Sequence, residues 1–370
     1  MHILHVIDGL GLGGAERMLV DIANQTVADG HEASVCVTRS NVTLEPALDP
    51  RINRLVLNRK RRVSVAKMLR FTRWVREQRV DVLHVHLRSN LSFVLPLRIM
   101  RLVRQPIVFH DHFGGIETDQ SIPPWFRVAS RFIAHYVGVY DRLSAWAQRA
   151  GVPANRTTTI TNTLDLSRLR AGVPGDLRKE LAVPDGSALA VLVATVRRDK
   201  GIEVLLDAVS QSRHRGTLCV VIVGADGEPD YVASVRSRWK ELGLEDTVHF
   251  LGPRTDVPAL LAAADLGLVT SHTESGPLVL IEYLAAGLPV VSTEVGDIGR
   301  RLAAMSVPGF VPPGDPRAFA EKLDALLDLP RSARQQRGSD GRTKLETGWD
   351  IRSTMPRWYE LYRSAIQTRR

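Results

Sequence analysis

Asp265-Leu-Gly-Leu-Val-Thr270, followed by Glu274-Ser-Gly-Pro-Leu-Val-Leu-Ile-Glu282-Tyr-Leu-Ala-Ala-Gly-Leu-Pro289, decides how this chain is read. The first run is a short apolar strand. In the second, Pro277 suits the first position of a helix, where its missing N–H costs nothing. Gly287 and Pro289 suit its end. From Leu278 to Ala286 the helix is apolar except for Glu282 and the Tyr283 hydroxyl, the pattern of a buried helix. A carboxylate on such a helix is costly unless something satisfies it. Glu282 therefore pairs with a cation, is protonated, or faces a ligand. Glu274 comes just before the helix, at the carboxyl end of the strand, where open α/β sheets bind ligands. A structural ion pair at Glu282 and a solvated Glu274 would account for the same residues about equally well.

The strand–helix alternation extends along the whole chain, which indicates parallel α/β architecture. Strands are expected at His2–Ile7, Ala33–Thr38, Arg54–Leu57, Asp81–His86, Ile107–His110, Tyr136–Val139 and Thr157–Thr161. A second set is expected at Leu189–Thr195, Leu218–Val223, Val248–Leu251, Leu266–Thr270, Pro289–Ser292 and Phe310–Pro312. The Gly- and Pro-rich stretch Leu166–Ser187, with Gly172, Pro174, Gly175, Pro184 and Gly186, reads as a linker. This gives an N-terminal domain over 1–170, a linker over 171–187 and a C-terminal domain over 188–346. A helical tail over 347–370, with Trp358, Leu361 and Ile366 near one face, is expected to pack back toward the N-terminal domain. The architecture expected is two doubly wound, Rossmann-like domains facing a central cleft.

Composition is that of a globular protein, with 44% hydrophobic and 24% charged residues. The two cysteines, Cys36 and Cys219, sit in apolar runs of different halves and read as buried thiols in a reducing compartment. No Cys/His spacing indicates zinc. No apolar run approaches the ~20 residues of a membrane-spanning helix. The start of the chain lacks a signal-peptide pattern, so a cytoplasmic location is expected. Charge is uneven: residues 1–170 hold 24 Lys+Arg and 14 Asp+Glu, net +10, and the remainder holds 25 and 26, net −1, which sum to the chain's +9. The first half is built to meet something anionic.

Gly9-Leu-Gly11-Leu-Gly13-Gly14 follows a strand, opens a helix and fits the dinucleotide pattern G-x-G-x-x-G. Its glycines allow a phosphate close to the backbone at a helix N-terminus. The next strand ends Cys36-Val-Thr38-Arg39, without the acid that holds an NAD ribose. Arg39 could suit a 2′-phosphate instead, so an NADP-dependent oxidoreductase is one alternative.

The continuation Gly13-Gly14-Ala15-Glu16-Arg17, together with Glu274…Glu282, resembles the retaining glycosyltransferases of family four, with the GT-B fold. Asp81–His86, Pro106–His112, Thr161–Asp165, Lys200-Gly201 and Phe250–Gly252 follow in the order of that family, over nearly the whole chain. The resemblance implies transfer of a sugar from a nucleotide-sugar donor, with retention at the anomeric carbon, to a lipid-linked or polysaccharide acceptor. It implies that Gly13 and Gly14 approach the donor diphosphate or the acceptor, and that His112 contacts the donor sugar, with His110 as a competing choice. It further implies that Lys200 binds the leaving diphosphate and that Glu274 holds donor-sugar hydroxyls. The backbone N–H groups of Gly276 and Leu278 would face the phosphates, and Glu282 would hold the nucleotide ribose. A metal on the His110/His112 pair lacks a clear third ligand in the sequence.

Two departures stand out. Thr195 occupies a position where relatives carry arginine, so Arg197, or Arg198, is expected to take the phosphate role. Glu274-Ser-Gly276-Pro277 replaces the family's Glu-Ser-Phe-Gly, which changes the sugar pocket. There is no Asp-x-Asp pair to hold a divalent ion on a diphosphate, and no cofactor or metal is expected. A degenerate protein that binds sugar nucleotides without turnover is the non-enzymatic alternative.

From Arg51 to Arg79 there are eleven Lys or Arg and one acid, Glu77, interleaved with Val63, Val65, Met68, Leu69, Phe71, Trp74 and Val75. A segment of this kind suits an anionic membrane surface, giving a peripheral membrane protein. A solvated helix packed on the sheet is the plainer reading. Trp125-Phe126 offers a second surface contact or core, and no nucleic-acid-binding motif accompanies the arm.

Overall fold

The computed structural model describes residues 1–61, 64–170, 177–345 and 348–368. Val63 of the basic arm, Gly172, Pro174 and Gly175 of the expected linker, and Thr347 at the start of the tail lie outside them. The packing divides the chain into two compact units, one of residues 1–164 with 350–370 and one of residues 165–349.

In the first unit, strands β1 (His2–Ile7), β2 (Glu32–Val37), β3 (Asn53–Val56), β4 (Val82–His86), β5 (Ile107–Asp111), β6 (Ile133–Gly138) and β7 (Thr157–Thr159) form one sheet. Its order is β3-β2-β1-β4-β5-β6-β7, all parallel. Parallel strands need crossovers, so each face is covered by helices. One face buries Leu4, Leu83, Val85 and Phe109 beneath Phe71, Val94, Phe126 and Trp146. Toward β2, the other face buries Val35 and Val37 beneath Leu19, Val20 and Ala23 of the helix Gly14–Ala28.

The C-terminal helix Ile351–Gln367 belongs to this unit and packs on β4, β5 and β6. Its buried face is Ile351, Met355, Trp358, Tyr359, Tyr362 and Ala365. The inward residue in its middle is Tyr362, fully buried, where the sequence suggested Leu361. Tyr362 faces inward because its hydroxyl reaches a buried imidazole, His84, at 2.8 Å.

In the second unit, β8 (Ala188–Val193), β9 (Leu218–Val223), β10 (Val248–Gly252), β11 (Leu266–Val269), β12 (Val290–Thr293) and β13 (Phe310–Val311) form the sheet β10-β9-β8-β11-β12-β13. Residues 165–170, expected in the first domain, pack with this unit, and the expected linker contains a helical turn, Leu177–Glu180. Leu177 sits in the core, which draws that turn onto the domain.

The helix after β11 spans Leu278–Ala285. Pro277 is its N-cap, in extended conformation (φ −69°, ψ 100°), rather than its first residue. Gly287 follows with φ +78°, the left-handed turn that ends a helix. Tyr283 fixes this helix to the sheet. Its ring lies directly over Gly267, where any Cβ would collide with it. Its hydroxyl accepts from the Val193 N–H at 2.8 Å, at the end of β8. Tyr283→Phe removes that acceptor and is expected to cost about 1–3 kcal/mol. Gly267→Ala displaces the ring and is expected to cost a similar ~1–3 kcal/mol through overpacking. Urea denaturation of both variants, with unchanged m-value, checks this.

Candidate functional site

Each sheet reverses its order once, between β1 and β4 in the first unit and between β8 and β11 in the second. The crevice beyond the strand ends at such a reversal is where α/β sheets bind ligands. In the second unit, Lys200 follows β8 and Glu274 follows β11, one from each side of the reversal. They meet there: Lys200 Nζ donates to Glu274 Oε1, and both side chains are 15% exposed. The Ser271 hydroxyl also donates to that oxygen, at 3.0 Å. Glu274 is therefore not simply solvated.

The two loops are held together by their backbones. His272 N donates to Asp199 O at 2.8 Å, and the Thr270 hydroxyl to Lys200 O at 3.0 Å. Gly201, at φ +59°, passes so close to Thr270 O that no side chain fits. His272 Nε2 lies 2.7 Å from Glu203 Oε1, which tightens the same junction. Gly296, at φ +65°, lies against the backbone of Glu274 and Ser275, and Asp297 N donates to Ser275 O at 2.9 Å. The loop that carries Glu274, Gly276 and Leu278 is thus clamped on both sides.

Glu282, one turn into the helix, accepts from Arg168 Nη2 at 2.7 Å; these side chains are 14% and 20% exposed. Of the three fates open to this carboxylate, the structure displays the ion pair. Sequence reasoning missed Arg168, which lies 114 residues away on a four-residue helical turn, Ser167–Arg170. It also missed Gly296; the only signal was a glycine just after a strand, in Glu294-Val-Gly296. Arg197 is 47% exposed, and its Nη2 donates to Asp199 Oδ2 at 2.9 Å. Arg198 stacks on Tyr231 at 5.3 Å.

In the first unit, Gly13 caps the helix that Gly14 begins, with extended backbone (φ −83°, ψ 165°). Arg39, the residue that suited a 2′-phosphate, stands 3.6 Å from Asp8. His110 is fully buried and His112 is half-buried, so only His112 has an open side. Asp111, between them, points to the opposite face, where it accepts from Arg88 Nη2 and the Tyr136 hydroxyl, each at 2.9 Å. Burial pushes the His112 imidazole down to about 3, so it is neutral at physiological pH. The sequence left the His110/His112 pair without a third imidazole. The structure supplies one: His86, on β4, gathers with both.

The basic arm divides in two. Met68, Phe71 and Val75 of the helix Val65–Glu77 are core, and Trp74 packs against it. Val65 and Leu69 remain outside, 67% and 55% exposed, on the same helix as the exposed Arg70, Arg73 and Arg76. Phe126 is core, whereas Trp125 lines an apolar groove of about 310 Å³ with Leu95, Pro96, Ile99 and Met100. Among the described residues, no helix is long and apolar enough to cross a membrane.

The Glycosyltransferase Family 4 domain matches residues 12–168, and the Glycosyl transferases group 1 domain matches residues 175–344. The chain belongs to glycosyltransferase family 4. D-inositol 3-phosphate glycosyltransferase 2 of Catenulispora acidiphila is 31% identical over 192 residues, 49% of this chain and 44% of that protein. D-inositol 3-phosphate glycosyltransferase 1 of the same organism is 28% identical over 315 residues, 78% of this chain and 73% of that one. The first of these matches thus spans less than half of the relative's length. A structure of Anabaena Alr3699/HepE in complex with UDP and glucose superposes with a TM-score of 0.79 at 23% identity, covering 98% of this chain and all of that one. The fold is GT-B. The matched families leave the oxidoreductase alternative without support.

Arg168→Ala leaves the Glu282 carboxylate without this cation on a largely buried helix. The expected loss is about 1–3 kcal/mol of stability, read as a lower melting temperature that Glu282→Gln in the same background partly restores.

Proposed function

We propose that the chain transfers a sugar from a nucleotide-sugar donor to an anionic glycan or lipid-linked acceptor, with retention at the anomeric carbon. The observation that carries this reading is the convergence of Lys200 and Glu274 at the strand reversal, with Glu282 on the helix that follows. Lys200 stabilises the charge that builds on the departing diphosphate, where a fixed cation is worth most. Arg197 swings from Asp199 to the same phosphates, and the N–H groups of Gly276 and Leu278 add donors at the helix start. Once Lys200 turns to phosphate, Glu274 is released to accept from donor-sugar hydroxyls. Glu282 exchanges the Arg168 guanidinium for ribose hydroxyls. In the first unit, Gly13 and Gly14 approach phosphate or acceptor, and neutral His112 contacts the donor sugar.

The acceptor oxygen bonds to the anomeric carbon on the face from which the diphosphate leaves. The bond from that carbon to the diphosphate oxygen breaks, and the acceptor's proton passes to the departing phosphate. No divalent ion is needed for this step, because side-chain cations and helix N–H groups carry the charge.

The relatives named for D-inositol 3-phosphate and the HepE complexes with UDP and UDP-glucose support a uridine-diphosphate sugar and an anionic acceptor. The excess of cations in the first half supports the latter as well. The protein works in the cytoplasm, at an anionic membrane face met by Val65, Leu69, Arg70, Arg73 and Arg76. Each such cation contributes about 1 kcal/mol of attraction to the surface.

A thermal-shift screen of UDP-, GDP- and ADP-sugars without metal tests the donor site. Stabilisation by the UDP class, lost in Glu282→Ala, is expected; no shift with any nucleotide sugar overturns the reading. Lys200→Ala, folded by circular dichroism, is expected to lower kcat about 100-fold or more. In flotation with vesicles containing anionic lipid, wild type is expected to float. A variant with Leu69, Arg70, Arg73 and Arg76 changed to Gln should stay at the bottom, as should wild type with neutral vesicles.

A further inference from the structure

Five histidines crowd the face of the first sheet that the C-terminal helix covers. His5 on β1 stands opposite His84 on β4, and His86 stands opposite His110 on β5. Side chains two apart share a face, so His84 and His86 point the same way, as do His110 and His112. The rings touch: His84 and His86 centroids are 4.1 Å apart, and those of His110 and His112 are 4.0 Å apart. Trp358 and Tyr362 close the deep end over His84.

Packing alone leaves this cluster poorly satisfied. Buried polar atoms almost always find partners. Here His86 Nδ1 and His110 Nε2 have none, though both residues are fully buried. Their other nitrogens are held. His86 Nε2 lies 3.2 Å from His5 Nδ1, and His110 Nδ1 lies 3.2 Å from His84 Nε2. His84 Nδ1 in turn lies 2.8 Å from the Tyr362 hydroxyl. In the tautomers in which His86 Nε2–H donates to His5 and His110 Nδ1–H donates to His84, the free nitrogens carry lone pairs, which is how a metal-ligating histidine is oriented.

We infer that His86, His110 and His112 bind one divalent transition ion, of the zinc or cobalt class, with His5 and His84 as the outer partners that orient two of the ligands. One ligand atom from each of the three lies within 4.8 Å of the others. Zinc–nitrogen bonds of about 2.1 Å set ligand nitrogens about 3.4 Å apart, so binding draws the rings together by roughly 1 Å. All-imidazole donor sets suit zinc and its neighbours rather than magnesium or calcium. Burial, then mutual repulsion, holds His86 and His110 well below the ordinary histidine range, which keeps them in the neutral form that ligates. The half-buried His112 marks the side from which the ion and a fourth ligand enter. The ion would pin β4 to β5 beneath the C-terminal helix. This inference shares His112 with the proposed donor site, but its readout, cobalt uptake measured without nucleotide sugar, is separate from turnover.

The test uses the full chain without a polyhistidine tag, stripped with EDTA and titrated with Co²⁺. One equivalent is expected, with the visible absorption of tetrahedral cobalt, displaced by Zn²⁺. The melting temperature should rise with Zn²⁺, because the ion binds only the folded state. His86→Gln and His110→Gln, each confirmed folded by circular dichroism, should lose the cobalt spectrum. The inference is overturned if folded wild type takes up no Co²⁺, or if both variants bind it as wild type does. A second triad, His5, His84 and His86, also lies within ligand reach. Loss in His5→Gln with retention in His110→Gln would place the ion there and overturn the assignment to His110 and His112.

Discussion

Parallel pairing constrains everything else in this molecule. A parallel strand cannot be reached by a tight turn, so each connection crosses a face of the sheet with one hand. To cover both faces, the chain must reverse its direction of travel across the sheet once. At that reversal the two following loops leave in opposite directions and cannot cover the strand ends between them. In the second unit the reversal falls between β8 and β11. Lys200 and Glu274 sit on those two loops, and Tyr283 over Gly267 holds the next helix at the height where Glu282 follows them.

The charges in that crevice are compensated within the unit. Lys200 and Glu274 share one another's field, and Arg168 answers Glu282. Ion pairs of this kind gain little net stability over apolar packing, because desolvation consumes most of the attraction. Their value is positional. Each group is held in one place by its partner, on loops whose backbones meet closely at Gly201 and Gly296.

The first sheet carries its polar burden differently. On the face under the C-terminal helix, positions that would ordinarily hold valine or isoleucine hold His5, His84, His86 and His110. The helix meets them with Trp358 and Tyr362, which lie tilted against the rings and supply one hydroxyl. Apolar burial on the opposite face, from Leu4 to Trp146, supports the sheet while this face is given over to imidazoles.

All thirteen strands among the described residues were legible in the sequence, most within one or two residues of their ends, because buried parallel strands are short apolar runs bounded by turn residues. The Glu274…Glu282 segment was legible for the same reason: a carboxylate inside an apolar run violates the pattern. Arg168 was not legible. A cation on a short polar turn looks like any solvated arginine until the chain folds it against a carboxylate 114 residues away. The histidines show the limit most clearly. The sequence displays His5, His84/His86 and His110/His112 separately, on or just past three strands, and period-two alternation pairs only those two apart. That β1, β4 and β5 lie side by side is a fact of strand order, set by long-range pairing. The sequence by itself determined the elements, the family and the carboxylates. Tertiary structure alone decided which cation answers which acid and that five imidazoles share one face, because those contacts join residues whose neighbourhood exists only after the sheet has formed.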